Sequence, residues 1–233
     1  MRRFVIVVAL ATLASCKLKG FGASDGGGAP SIVSTLASLV AFEGEIDMTM
    51  TMALAPATGM TTSFEMRGTK VRTETKGLAT SVSITDMGAK KSWMIDNTAR
   101  TYTEIDLAKL GSSSSSAVKS TAKARSLGKA DKVAGYSCDL WEVVDATMRA
   151  EMCMASGLSM MALGLSGPFS MLFTKDDDAW SQVLSHGFPL RLVITDPSGA
   201  PMMKMEATRV EKRSIPDSEF AIPAGYTKMP SPI

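Results

Sequence analysis

The chain has 233 residues, enough for one domain with a tail or for two small domains. Hydrophobic residues make up 45% and charged residues 21%, which supports a buried core and excludes general disorder. The formal charge is +2, and loss of Arg2 and Arg3 with the leader segment brings it to zero, so no electrostatic pull towards nucleic acid is expected.

Met1-Arg2-Arg3 is a basic start, and Phe4 to Leu13 is an apolar run. About ten apolar residues are too few to span a hydrocarbon core of roughly 30 Å, so the pattern predicts a signal peptide over 1–15. It ends in Leu13-Ala14-Ser15-Cys16, which resembles the lipobox read by the bacterial lipoprotein signal peptidase. Cys16 is therefore the expected lipidation site, where palmitate-type acyl chains would hold the chain to a membrane facing the periplasm. Lys17 follows, where an Asp would resemble an inner-membrane retention signal, so the outer membrane is favoured.

Residues 16–30 include Gly26-Gly27-Gly28 and read as a lipidated flexible tether ahead of a single β-rich domain over 31–233. Ser31 is a candidate N-cap, and Ile32, Leu36, Leu39 and Val40 share helical spacing, which predicts a short helix. From Phe42 the period becomes two. Ile46, Met48, Met50, Met52 and Leu54 fall on one face, and Glu43, Glu45, Asp47, Thr49 and Thr51 on the other. The apolar set is the candidate lining of a ligand cavity.

Shorter strands are predicted near 61–67, 69–76, 79–85, 91–95 and 101–105, punctuated by Gly, Asn and Asp. Ser112 to Ser116 read as a surface loop, followed by strands near 125–133, 136–144 and 147–154. The stretch 157–173 is apolar but broken by Gly164, Gly167 and Pro168, and predicts a kinked helix or covering loop. Asp176 to Asp178 open a short helix that ends at His186-Gly187. Strands 188–195 and 201–212 flank the turn Asp196-Pro197-Ser198-Gly199.

Three segments together resemble a bacterial family, the domain of unknown function numbered 4412, over roughly residues 42–228. They are Ala134-Gly135-Tyr136-Ser137-Cys138, Phe188-Pro189-Leu190-Arg191 and Phe220-Ala221-Ile222-Pro223-Ala224-Gly225-Tyr226. The helix-then-strand opening also resembles the lipoprotein-carrier superfamily of LolA and LolB. That likeness implies an α+β fold: an antiparallel sheet curled into an open half-barrel, with an N-terminal helix and helical insertions packed on it. Some of those proteins carry acyl chains in the hollow. Neither resemblance brings a catalytic motif, and fold alone does not establish function.

With Cys16 assigned to lipid, Cys138 and Cys153 remain as an even pair in an oxidising compartment. A hairpin turning at Asp145-Ala146 sets Cys138 against Cys153 and Glu142 against Arg149, so a structural disulfide is expected. Methionine is abundant, 18 residues against 8 Phe. Strand-spaced Met residues suit an adaptable apolar lining and, less favourably, a Cu(I) site.

Ser116-Ala117-Val118-Lys119 lacks the companion motifs of a Ser-Lys enzyme, and Gly164-Leu165-Ser166-Gly167 is not a nucleophile elbow. Asp176 to Asp178 lack calcium-loop spacing. The sequence predicts no enzyme, no metal and no cofactor. It leaves a binding module for a lipid or other apolar ligand, or a structural and interaction role without one. An open apolar hollow would favour the first and a filled core the second.

Overall fold

The computed structural model describes residues 42–53, 59–77, 79–110, 121–158 and 178–231. The lipidation site Cys16, the helix expected from Ser31, Leu54 and most of the covering stretch 157–173 lie outside them.

Alternating apolar and polar residues build strands β1 (Gly44–Met52), β2 (Met60–Arg67), β3 (Lys70–Lys76), β4 (Ser81–Asp86), β5 (Lys91–Asp96) and β6 (Thr101–Asp106). A single helical turn, α1 (Leu107–Leu110), follows. The second half supplies β7 (Lys123–Val133), β8 (Tyr136–Val144), β9 (Arg149–Ala155), helix α2 (Asp178–Leu184), β10 (Phe188–Thr195) and β11 (Pro201–Lys212). A 3-10 turn (Asp217–Phe220) and a three-residue strand β12 (Thr227–Met229) close the chain. No described helix is long and apolar enough to cross a membrane.

The twelve strands form one curled, open sheet in the order β12-β6-β5-β4-β3-β2-β1-β11-β10-β9-β8-β7. Every pair is antiparallel except β12–β6. The β1–β11 ladder joins the two halves of the sequence at the centre of the sheet. Gly44 permits part of that approach, because a Cβ there would lie 2.1 Å from the Glu211 carbonyl oxygen. Thr208 is the extra residue of a bulge in the same ladder, and its hydroxyl donates to the Asp47 carbonyl at 3.2 Å.

Side-chain chemistry sets the turns. Ala134 and Gly135 both have positive φ, 47° and 85°, the geometry that suits a two-residue hairpin between right-twisted strands. The Asp196 carboxylate accepts from the Ser198 hydroxyl and from the amides of Ser198 and Ala200, closing the expected β10–β11 turn. Those bonds hold its carboxyl below the usual range.

The sheet is covered on both faces, but at different places. The inner face is the one carrying Ile46, Met48 and Met50. It forms the larger core with Phe64, Leu192, Ile194, Met152, Met205 and, from α2, Trp180 and Val183. The smaller core is on the outer face at the other end. There Val82, Ile84 and Ile95 pack under Ile215 and Phe220, with Trp93, Tyr102 and Tyr226 at the margin. The segment after β11 crosses the outer face as a strap. Arg67 fastens it by donating to the Ile215 carbonyl at 2.6 Å and to the Asp217 carboxylate at 2.7 Å. The strap ends as β12 beside β6.

Candidate functional site

The β1 face expected to line a cavity is divided by the structure. Ile46, Met48 and Met50 are 0–2% exposed, so they are fully enclosed. Met52, at the strand end, is 47% exposed, which removes it from the enclosed set. Neighbouring strands extend the thioether surface. Cross-strand pairing places Met60 beside Met50, Met205 on its other side, Leu192 beside Met205, and Met152 beside Leu192. Trp141 lies beside Met152 and stacks on His186 with ring centroids 4.1 Å apart. The lone histidine is thus an aromatic partner at the end of α2. Sequence periodicity could identify the β1 methionines, but pairing of strands some 150 residues apart is what brings Met205 to Met50.

The inner face changes character at β3. On β3 to β6 it carries Thr73, Thr75, Ser83, Thr85, Ser92 and Thr103 among the apolar Val71, Met94 and Ile105. Two pairs satisfy each other while buried: Thr62 with Thr75 at 3.1 Å, and Thr85 with Ser92 at 2.9 Å.

The opposite face of β1 to β3 and β11 is a charge lattice. Arg209 bridges Glu45 and Asp47, each at 2.8 Å, and Arg213 bridges Glu45 at 3.1 Å and Glu65 at 2.7 Å. Arg72 binds Glu74 at 2.7 Å and Glu65 at 3.3 Å. Burial opposes ionisation of Glu74, but hydrogen bonds from Arg72 and Lys76 outweigh it and hold the carboxyl below its usual range. The hydrogen bond and charge of Asp47 raise Arg209. A groove of about 490 Å³ runs between Glu45, Glu65, Arg72, Glu74 and Lys76. Its floor is already neutralised by these pairs. Among the described residues no three His, Cys, Asp or Glu side chains are grouped to hold a metal ion.

The structure joins Cys138 and Cys153, with Cα atoms 5.2 Å apart, within the range a disulfide spans. The register differs from the expected one. Cys153 faces Leu140 and Glu142 faces Glu151, so both the disulfide and the Glu142–Arg149 ion pair run diagonally across the ladder. The cause is the turn. The Asp145 amide donates to the Met148 carbonyl at 3.0 Å, and its carboxylate accepts from the Thr147 and Met148 amides. This moves the loop one residue on, to Ala146-Thr147.

An open, curled antiparallel sheet with few helices is therefore the class this chain folds into. The family model described as "Domain of unknown function (DUF4412)" matches residues 42–226, and the chain belongs to that family. No curated protein sequence matches the chain. Among solved structures, an uncharacterised conserved protein from Thermus thermophilus is similar at 9% identity and TM-score 0.48, covering 85% of this chain and 96% of the other. MucB in the MucA/MucB complex of Pseudomonas aeruginosa is similar at 13% identity and TM-score 0.46, covering 82% and 60%. A LolA superfamily protein from Nitrosomonas europaea is similar at 9% identity and TM-score 0.33, covering 81% and 96%. With scores under 0.5, these are likenesses of general architecture.

Proposed function

We propose that the chain is a lipid-anchored protein of the bacterial cell envelope, tethered through Cys16, whose sheet is a non-catalytic binding module for a lipid or other apolar ligand. The leader, the lipobox and the glycine tether support the anchor. One observation carries the binding reading: Met50, Met60, Met205 and Met152 lie along one cross-strand row of the inner face. A fixed core is better specified by Leu, Ile and Phe, whose rotamers are well defined. Thioether chains repack with little loss and suit an apolar guest of variable shape.

A second reading is supported by a different observation. Ile46, Met48 and Met50 are fully enclosed by neighbouring core side chains, as in an interaction protein whose core is simply filled. The two are separated by exporting a chain that begins at Lys17, purifying it without detergent, and extracting it with organic solvent for mass spectrometry. A stoichiometric apolar molecule is the expected result. Its absence, from protein that also fails to take up lipid on incubation with vesicles, leaves the interaction role.

A further inference from the structure

On the outer face, four residues line up across adjacent strands: Arg191 on β10, Cys153 on β9, Cys138 on β8 and Asp131 on β7. Arg191 faces Cys153 across one ladder, and Asp131 faces Cys138 across another. The disulfide joins the two middle members. The two flanking members also meet, because Arg191 Nη2 donates to Asp131 Oδ2 at 2.5 Å. With the strands in the order β10-β9-β8-β7, that bond passes over β9 and β8, where the disulfide lies. Both cysteines are enclosed, Cys138 at 3% and Cys153 at 1% exposure, whereas the side chains of Arg191 and Asp131 reach solvent.

This is not the partner that strand pairing offers Arg191 first. Arg191 also faces Glu206 across the β10–β11 ladder, and that carboxylate is bound by Lys204 at 2.6 Å instead. Asp131 is set to receive the guanidinium, because the Lys132 amide donates to its other oxygen at 2.7 Å. Arg191 first, and then that amide, hold the Asp131 carboxyl below its usual range. The β7 side of the disulfide is the weaker one. β7 is an edge strand, and its ladder to β8 shifts register between Ser126 and Ala130, next to Asp131. Cys153, in contrast, sits on a strand paired on both sides.

We propose that the Arg191–Asp131 pair is a latch over the disulfide, and that its opening admits a small thiol to Cys138. The attacking thiolate bonds to Cys138 Sγ, the Cys138–Cys153 bond breaks, and its electron pair leaves on Cys153 Sγ. Arg191, freed from Asp131 and directly across the ladder, then stabilises the Cys153 thiolate by its charge. A second thiolate attacks the sulfur of the first and frees Cys138. The cystine thus gains two electrons and two protons, while two small thiols become one disulfide. The device works whether or not the inner face holds an apolar ligand.

The test treats the full-length chain in envelope membranes with reduced glutathione, without denaturant. Samples are stopped with acid and alkylated, and the adducts are located by peptide mass spectrometry. Arg191→Ala and Asp131→Asn are each expected to speed loss of the disulfide about three- to fivefold, the worth of one partly exposed ion pair. The double variant should be no faster than either single one, and Arg191→Lys, which keeps the charge, should recover part of the protection. Arg67→Ala, which breaks the distant ion pair of the strap, controls for general loosening and should leave the rate unchanged. The earliest adducts should carry glutathione on Cys138 and alkyl on Cys153. Asp131→Asn keeps the side-chain shape, so the proposal remains testable if Arg191→Ala folds poorly. Equal rates in wild type and both single variants overturn the latch, as does equal acceleration by Arg67→Ala. Early glutathione chiefly on Cys153 overturns the direction of attack.

Discussion

Glu142 and Arg149 are bonded at 2.7 Å although neither faces the other across the β8–β9 ladder. The residue opposite Glu142 is Glu151, a like-charge pairing that would be destabilising on its own. Arg149 relieves it from one diagonal, and Arg125 binds the other Glu142 oxygen at 2.5 Å. Glu142→Gln should therefore cost about 1–2 kcal/mol in urea unfolding, because a buried charge-assisted acceptor is weakened. Arg149→Ala alone should cost less, about 1 kcal/mol, since Arg125 stays. A double-mutant cycle with no coupling between Glu142 and Arg149 would refute the diagonal pair.

Removing the disulfide should be more costly. Cys138 and Cys153 are 15 residues apart, and opening a loop of that size costs on the order of 3 kcal/mol where the bridge is unstrained. The paired Cys138→Ala and Cys153→Ala variant should lose about that much. Exported wild-type protein should take up no alkylating reagent at these two positions without reduction. Two adducts there would show free thiols.

The C-terminal strap should loosen in acid. Arg67 holds the Asp217 carboxyl below its usual range, first by hydrogen bond and then by charge, with Lys70 adding to it. A depressed native pKa gives stability that is present above the unfolded value of about 3.9 and is lost as pH falls through the native value. Exchange of the Thr227 amide, which donates to the Arg100 carbonyl at 3.0 Å, reports on the far end of the strap. That exchange should accelerate below about pH 4 relative to the β1 amides. In Asp217→Asn it should already be faster at neutral pH and show no further step in this window. A step of equal size in the variant would assign the effect elsewhere.

The proposed membrane anchor rests wholly on Cys16. Cys16→Ser should leave the sheet folded by circular dichroism and release the chain from membranes in high salt and carbonate once the leader is cleaved. A variant that stays with the membrane fraction under those conditions shows a second means of attachment.

For copper, the β1 methionines make a direct test. Met48→Leu, Met50→Leu and Met52→Leu together keep apolar volume and should leave the fold within about 1–2 kcal/mol of wild type. Competition against a Cu(I) chelator should show negligible affinity in both proteins. A tight site in the wild type that the triple variant loses would reverse this.

Strand positions were legible because alternation survives wherever one face is buried, as along Gly44–Met52. Alternation separates two faces but does not say which of them is covered. Val82, Ile84, Trp93 and Ile95 alternate as in any half-buried strand, and they point outwards, covered by Ile215 and Phe220, which lie far along the chain. The β8–β9 register was two residues from the one expected because the Asp145 side chain selects the turn, and no pairing rule for Cys138 contains that carboxylate. The strand Thr227–Met229 has three exposed residues and no periodicity to detect.

The strap also sets an order of events for a chain that emerges amino end first. Strands β2 to β6 pair with their immediate neighbours and can zip up as soon as they are free. Their outer apolar side, however, waits for residues near the carboxyl end, and β1 waits for β11. During that interval the nascent sheet presents a greasy surface and an open central edge, both attractive to other unfinished chains. Slow threading, or any truncation before Phe220, prolongs the exposure, so yield should depend on holding chaperones far more than final stability does.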